Sequence, residues 1–155
     1  MAAANDTTVS QTYPRFQSLT YPNTTVGLPV VTTATTPVTM TVAQLLGGLL
    51  AVDCQDAGTL TTPTAALINA AIPGVAVGCS FEVDVINYGD TTLTIGLGTG
   101  VTKVTIATVA AVMTIVTLAS KRFRFVCTGV ASEAVVGSTD TWNVYAFGST
   151  AAAVA

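Results

Sequence analysis

Residues 119–129 read ASKRFRFVCTG, and two kinds of residue alternate along them. Phe123 and Phe125 fall on one side of an extended chain and Arg122 and Arg124 on the other, because successive side chains of a strand point to opposite faces. Lys121, Arg122 and Arg124 are three of the five basic residues in the chain. Two readings follow: a site for an anion, or the wet face of a strand. Residues 79–90, CSFEVDVINYGD, decide between them. There Phe81, Val83 and Val85 share one side, with Glu82 and Asp84 on the other. Two acids and two bases therefore lie on the polar faces of two strands. The simplest arrangement pairs them across neighbouring strands or across a subunit boundary. Exposed pairs contribute only roughly 0.2–1 kcal/mol each. Their larger effect is on register, since a slip of one residue would bury the charges. The strand-face reading is the better one.

Working outward, the same period of two recurs. Residues 91–100 (TTLTIGLGTG) follow the Tyr88-Gly89-Asp90 turn and place Leu93, Ile95 and Leu97 on one face. Residues 101–108 (VTKVTIAT), 112–120 (VMTIVTLAS) and 140–148 (DTWNVYAFG) continue the series. Each run is rich in Val, Ile, Thr and aromatics and is bounded by Gly, Ser or Asp, the pattern of an antiparallel sandwich or barrel. Two short helices are expected ahead of it. In residues 39–53 (TMTVAQLLGGLLAVD), Thr41 is placed to cap a helix whose apolar positions are Val42, Leu45, Leu46 and Leu49, with Gly47-Gly48 weakening or ending it. In residues 61–74 (TTPTAALINAAIPG), Thr62 or Thr64 serves as cap, Pro63 suits the first turn, and Pro73-Gly74 closes the helix.

Residues 1–40 differ from the rest. They are rich in Thr and carry Pro14, Pro22, Pro29 and Pro37, a spacing that forbids a continuous helix and favours extended backbone. One reading is a loose chain end. The sharper one is an extended arm packed along a neighbouring subunit, because Tyr13, Phe16 and Tyr21 are poor residues to leave in water. The expected organisation is an arm over 1–40, a β-domain over 41–148 and an Ala-rich tail over 149–155.

Half the residues are hydrophobic, 8% are charged, and the net charge is -3. That composition suits a folded domain rather than a disordered chain. Ordinary domains carry about a quarter charged residues, so a surface this poor in charge points to cover by partner subunits. Mild acidity argues against general nucleic-acid binding. No apolar run approaches the roughly 20 residues that span a membrane, and residues 1–11 have no signal-peptide character.

Little resembles catalysis. The chain has no histidine, which removes the Ser-His-Asp and Cys-His arrangements. Cys54, Cys79 and Cys127 are widely spaced with no CxxC pair and are expected as buried thiols rather than zinc ligands. Gly96, Gly98 and Gly100 (GLGTG) resemble a phosphate-binding loop, but a strand rather than a helix is expected after them, so a turn or bulge is the better reading. Glu82 and Asp84 sit on one strand with no sign of a cleft for acid–base work. Asp53 and Asp56, flanking Cys54, would make at most a weak calcium loop. Asn5 and Asn23 fit the glycosylation pattern, which matters only in a secretory host. No catalytic, cofactor or metal residue is assigned.

Residues 41–50 (TVAQLLGGLL), 60–87 (LTTPTAALINAAIPGVAVGCSFEVDVIN), 92–102 (TLTIGLGTGVT), 120–130 (SKRFRFVCTGV) and 140–147 (DTWNVYAF) together resemble a recurring domain of tailed-phage and other viral structural proteins. The likeness spans about residues 38–147 and leaves out the arm and the tail. It implies a small jelly-roll-like β-sandwich, often trimeric, that serves on virion surfaces as a head decoration (cement) protein or within fibres.

The expected fold is all-β: an antiparallel, jelly-roll-like sandwich with two short helices and an extended N-terminal arm. The expected function is non-enzymatic. As a virion component on the capsid surface, the protein would bind the major capsid protein, and itself as a homotrimer, to clamp neighbouring capsid subunits. Tyr13, Phe16 and Tyr21 are the expected contacts, with Glu82, Asp84, Arg122 and Arg124 as contact or register charges. The other reading is a tail-fibre or glycan-binding module. It would need exposed aromatics; Tyr88 and Trp142 are the candidates, and Trp142 lies in an alternating run that suits the core.

Overall fold

The computed structural model describes residues 30–31, 38–104, 113–131 and 137–150. Strands dominate it, in two sheets, with two helices. The order is β1 (Val30–Val31), β2 (Val38–Thr39), α1 (Val42–Leu46), β3 (Leu49–Cys54), β4 (Gly58–Thr61), α2 (Ala65–Ala71), β5 (Ser80–Asn87), β6 (Leu93–Gly96), β7 (Val101–Lys103), β8 (Thr114–Ile115), β9 (Ala119–Gly129) and β10 (Thr141–Thr150). The six-stranded sheet runs β1-β3-β5-β9-β10-β7 and the four-stranded sheet β2-β4-β6-β8.

The sheets are mixed, which corrects the antiparallel expectation. The pairs β1/β3, β3/β5, β7/β10, β2/β4 and β4/β6 are parallel, while β5/β9, β9/β10 and β6/β8 are antiparallel. The cause lies in the connections. From β1 to β8, successive strands alternate between the sheets. Through β6, each crossing re-enters a sheet beside the strand two earlier, running the same way; β8 then returns beside β6 in the opposite direction, and β7 pairs with β10. Residues at the end of the expected arm take part: β1 and β2 each add a strand, and Met40 is buried.

Local chemistry explains the helix ends. Gln44 N donates to Thr41 Oγ1 at 3.2 Å, and Thr41 N donates to Gln44 Oε1 at 2.8 Å, a complete capping box. Gly47 ends α1, and Gly48, at φ 79°, turns the chain into β3. Leu49 therefore starts a strand instead of continuing the helical face. Thr64 caps α2, accepting from Leu67 N at 3.4 Å. Pro63 thus precedes the cap instead of filling the first turn, and Thr62 is buried with its Oγ1 accepting from Gly98 N at 2.9 Å.

Both sheets and both helices contribute to one apolar cluster. Phe123, Phe125, Cys127, Trp142, Val144, Val83 and Val85 come from the large sheet, Leu60, Leu93, Ile95 and Ile115 from the small one, and Leu45, Ala65 and Ile68 from the helices. Phe81 stacks on Phe125 with ring centroids 4.9 Å apart and tilts against Trp142 at 5.3 Å. Two buried polar residues of the large sheet reach the short strand β8. Asn87 Nδ2 donates to Thr91 O at 2.7 Å and Ile115 O at 3.0 Å, and Lys121 Nζ donates to Thr114 O at 2.7 Å.

Lys121 is thus separated from its neighbouring arginines: it lies on the inward side of β9 and is 4% exposed. Burial pushes its pKa below the ordinary 10.5. Between the lowered folded value and the ordinary one, the unfolded chain binds more protons, so stability rises with pH across that window. Lys121→Met is expected to flatten this rise. The wild type gains on the variant as pH climbs from neutrality toward 10.5, read as the difference between their urea midpoints. A pH-independent difference would contradict the assignment.

Candidate functional site

The outward face of the six-stranded sheet gathers the charges. Register places Glu82 opposite Arg124 and Asp84 opposite Arg122 on β5 and β9. Extended across the sheet, one row reads Leu49, Asp84, Arg122, Phe147, and the next reads Glu82, Arg124, Tyr145. Leu49 and Phe147 are exposed, 63% and 45%, so the ion pair is flanked on both sides by open apolar side chains.

Arg122 grips Asp84 with a fork: Nε to Oδ1 at 2.8 Å and Nη2 to Oδ2 at 2.9 Å. Its Nη1 also lies 3.8 Å from Glu82 Oε2. Arg124 turns along the strand and donates from Nη2 to Ser80 Oγ at 3.4 Å. The hydrogen bonds from Arg122 hold the Asp84 carboxyl below the usual carboxylate range, and Asp84, then Glu82, push the Arg122 guanidinium up. The Asp84 carboxylate is committed to a cation rather than poised for proton transfer. Planar, bidentate Arg–carboxylate pairing fixes geometry more than it adds energy at a wet surface. Aromatic and Arg side chains, as on this face, are types enriched in protein interfaces.

The structure brings Glu82, Asp84, Arg122 and Arg124 together. Tyr13, Phe16 and Tyr21 lie outside the described residues, as do Asn5 and Asn23. Tyr88 is exposed at the turn after β5, and Trp142 is fully buried. Asp53 Oδ2 accepts from Gln55 Nε2 at 2.9 Å, and among the described residues no group of three or more His, Cys, Asp or Glu is placed to hold a metal ion. Gly98 and Gly100 form a turn into β7. A Cβ on Gly98 would lie 2.5 Å from Pro63 O, and one on Gly100, at φ +80°, 2.6 Å from Asp140 O. Close backbone packing explains both glycines.

Three residues of this face escaped the sequence reading. Tyr145 and Phe147 were legible in principle: Trp142 and Val144 point inward, so the odd positions of β10 must point outward. Leu49 was hidden by its helical spacing from Leu45. Comparison of the chain with protein-family models, curated proteins and solved structures finds no match in any of the three.

Proposed function

We propose that this chain is a non-enzymatic virion structural protein, a decoration or cement protein that binds the outer capsid surface and clamps neighbouring capsid subunits. The observation that carries the reading is the outward face of the large sheet, where exposed Leu49 and Phe147 flank the Asp84–Arg122 pair beside Arg124 and Tyr145. A clamp works by burying such a face against its neighbours. The sequence resemblance supports the same reading, as does a surface poor in charge. We further infer a two-sheet sandwich, supported by the apolar cluster that both sheets share, with mixed rather than antiparallel sheets. The proposed assembly is a homotrimer with closed symmetry, and Tyr13, Phe16 and Tyr21 are the proposed tether contacts.

The test is the native mass of the purified full chain with and without empty capsids. The expected result is a trimer that co-sediments with capsids, with co-sedimentation reduced in a Phe147→Glu variant that keeps its fold. A monomer that ignores capsids overturns the proposal. Exposed Tyr88 favours a second reading, a fibre or glycan-binding module; it predicts fractionation with tails and binding to host cells.

A further inference from the structure

We infer that Cys79 and Cys127 form a site of reversible disulfide modification within the subunit. The β5/β9 ladder runs from Asn87 opposite Ala119 to Ser80 opposite Val126. Beyond Ser80 the ladder ends in a bulge, where Gly78, at φ 93°, and Cys79 together face Cys127 and Cys79 N turns back to Ala76 O at 3.0 Å. Cys127 N donates to Cys79 O at 2.8 Å, and Gly78 N donates to Cys127 O at 2.9 Å. Neighbouring strands lie about 4.7–4.9 Å apart, within the Cα range that a disulfide bridges. Both thiols lie on the core side. Cys127 is buried within the apolar cluster, and Cys79 packs against it, half-buried. The adjoining pair on that side, Phe81 and Phe125, stacks ring on ring across the same two strands, so side chains here do meet.

The third free thiol provides a control. Cys54 is buried beyond the Asn87 end of β5, since β3 pairs Val52 with Asn87, and its Sγ donates to Asp56 O at 2.9 Å. The length of β5 separates it from Cys79, roughly 25 Å at strand rise.

The two thiols differ in access, and this orders the reaction. Burial pushes the Cys127 thiol up, so half-exposed Cys79 is the entry point. Its thiolate attacks one sulfur of a small disulfide, such as oxidised glutathione, and expels one thiol. Cys127, losing its proton, then attacks the Cys79 sulfur of the mixed disulfide and expels the second thiol. The protein loses two protons and two electrons, and the small disulfide is reduced to two thiols. Passage from reducing to oxidising surroundings would thereby lock the open end of the β5/β9 ladder. This inference is independent of the capsid reading.

The experiment is incubation of the purified full chain with oxidised glutathione, alkylation of remaining thiols, and non-reducing peptide mapping by mass spectrometry. The expected result is a peptide pair joining Cys79 to Cys127, with Cys54 alone alkylated and the mapping unchanged in Cys54→Ser. The oxidised form should melt several degrees higher and revert with reductant. In Cys127→Ser the reaction should stop at a glutathione adduct on Cys79. Wild-type chains that keep both thiols, stop at the adduct, or cross-link through Cys54 or between chains would overturn the inference. The wild-type map decides the matter even if Cys127→Ser does not fold.

Discussion

Trp142→Ala is expected to lower the unfolding free energy by about 3–5 kcal/mol, the range for removing a large buried aromatic. Trp142 is fully buried on β10 and touches the Phe81 ring. It also starts a chain of polar contacts. Its Nε1 donates to Asn69 Oδ1 at 2.6 Å, and Asn69 Nδ2 donates to Asp140 Oδ1 at 2.6 Å, which also accepts from Ala131 N at 2.8 Å. This chain ties α2 to the β9–β10 connection. Trp142→Phe separates the two contributions: most of the volume remains, but Asn69 Oδ1 loses its donor, at a cost of about 1–3 kcal/mol. The check is urea unfolding followed by far-UV circular dichroism, because Trp142 is the sole tryptophan and its fluorescence vanishes in both variants. A loss under about 1 kcal/mol for Trp142→Ala would mean that the site collapses around the gap.

Gly89→Ala is expected to cost about 3 kcal/mol or more, at or beyond the usual limit for overpacking. A Cβ on Gly89 would collide with the backbone N, C and O of Cys54, and backbone has no rotamer to give. The turn after β5 would have to lift from the end of β3. That lift would strain the bonds from Gly89 N to Asn87 Oδ1 at 3.1 Å, Tyr88 N to Val52 O at 3.0 Å and Thr91 N to Cys54 O at 3.1 Å. Gly74→Ala is the contrast. Gly74 has φ +67° and open space around its Cα, so alanine there costs only the left-handed backbone, about 1–2 kcal/mol. Thermal melts of both variants check the order; equal losses would mean that the close approach at Gly89 is not rigid.

The two faces of β5 and β9 were legible in the sequence because a strand has a period of two, and any chain with Phe81, Val83, Phe123 and Phe125 on one side must bury that side. That the acids of β5 could meet the bases of β9 followed from those faces, as one of two arrangements; the partnership of Asp84 with Arg122 came from the register. The caps of α1 and α2 were equally local: Thr41, Gln44 and Thr64 act on amides three residues away. Strand direction was not legible. Alternation is the same for parallel and antiparallel neighbours, and only the passage of the chain between two sheets makes β3 and β5 run together. Lys121 is a correction: the sequence grouped it with Arg122 and Arg124 on a wet strand face, whereas its parity with Phe123 puts it on the core side, 4% exposed. Parity prevailed because Thr114 O lies within reach of the ammonium. The hydrogen bonds from Trp142 Nε1 to Asn69 Oδ1 and from Cys127 N to Cys79 O join residues far apart in sequence, so tertiary packing alone could bring them together.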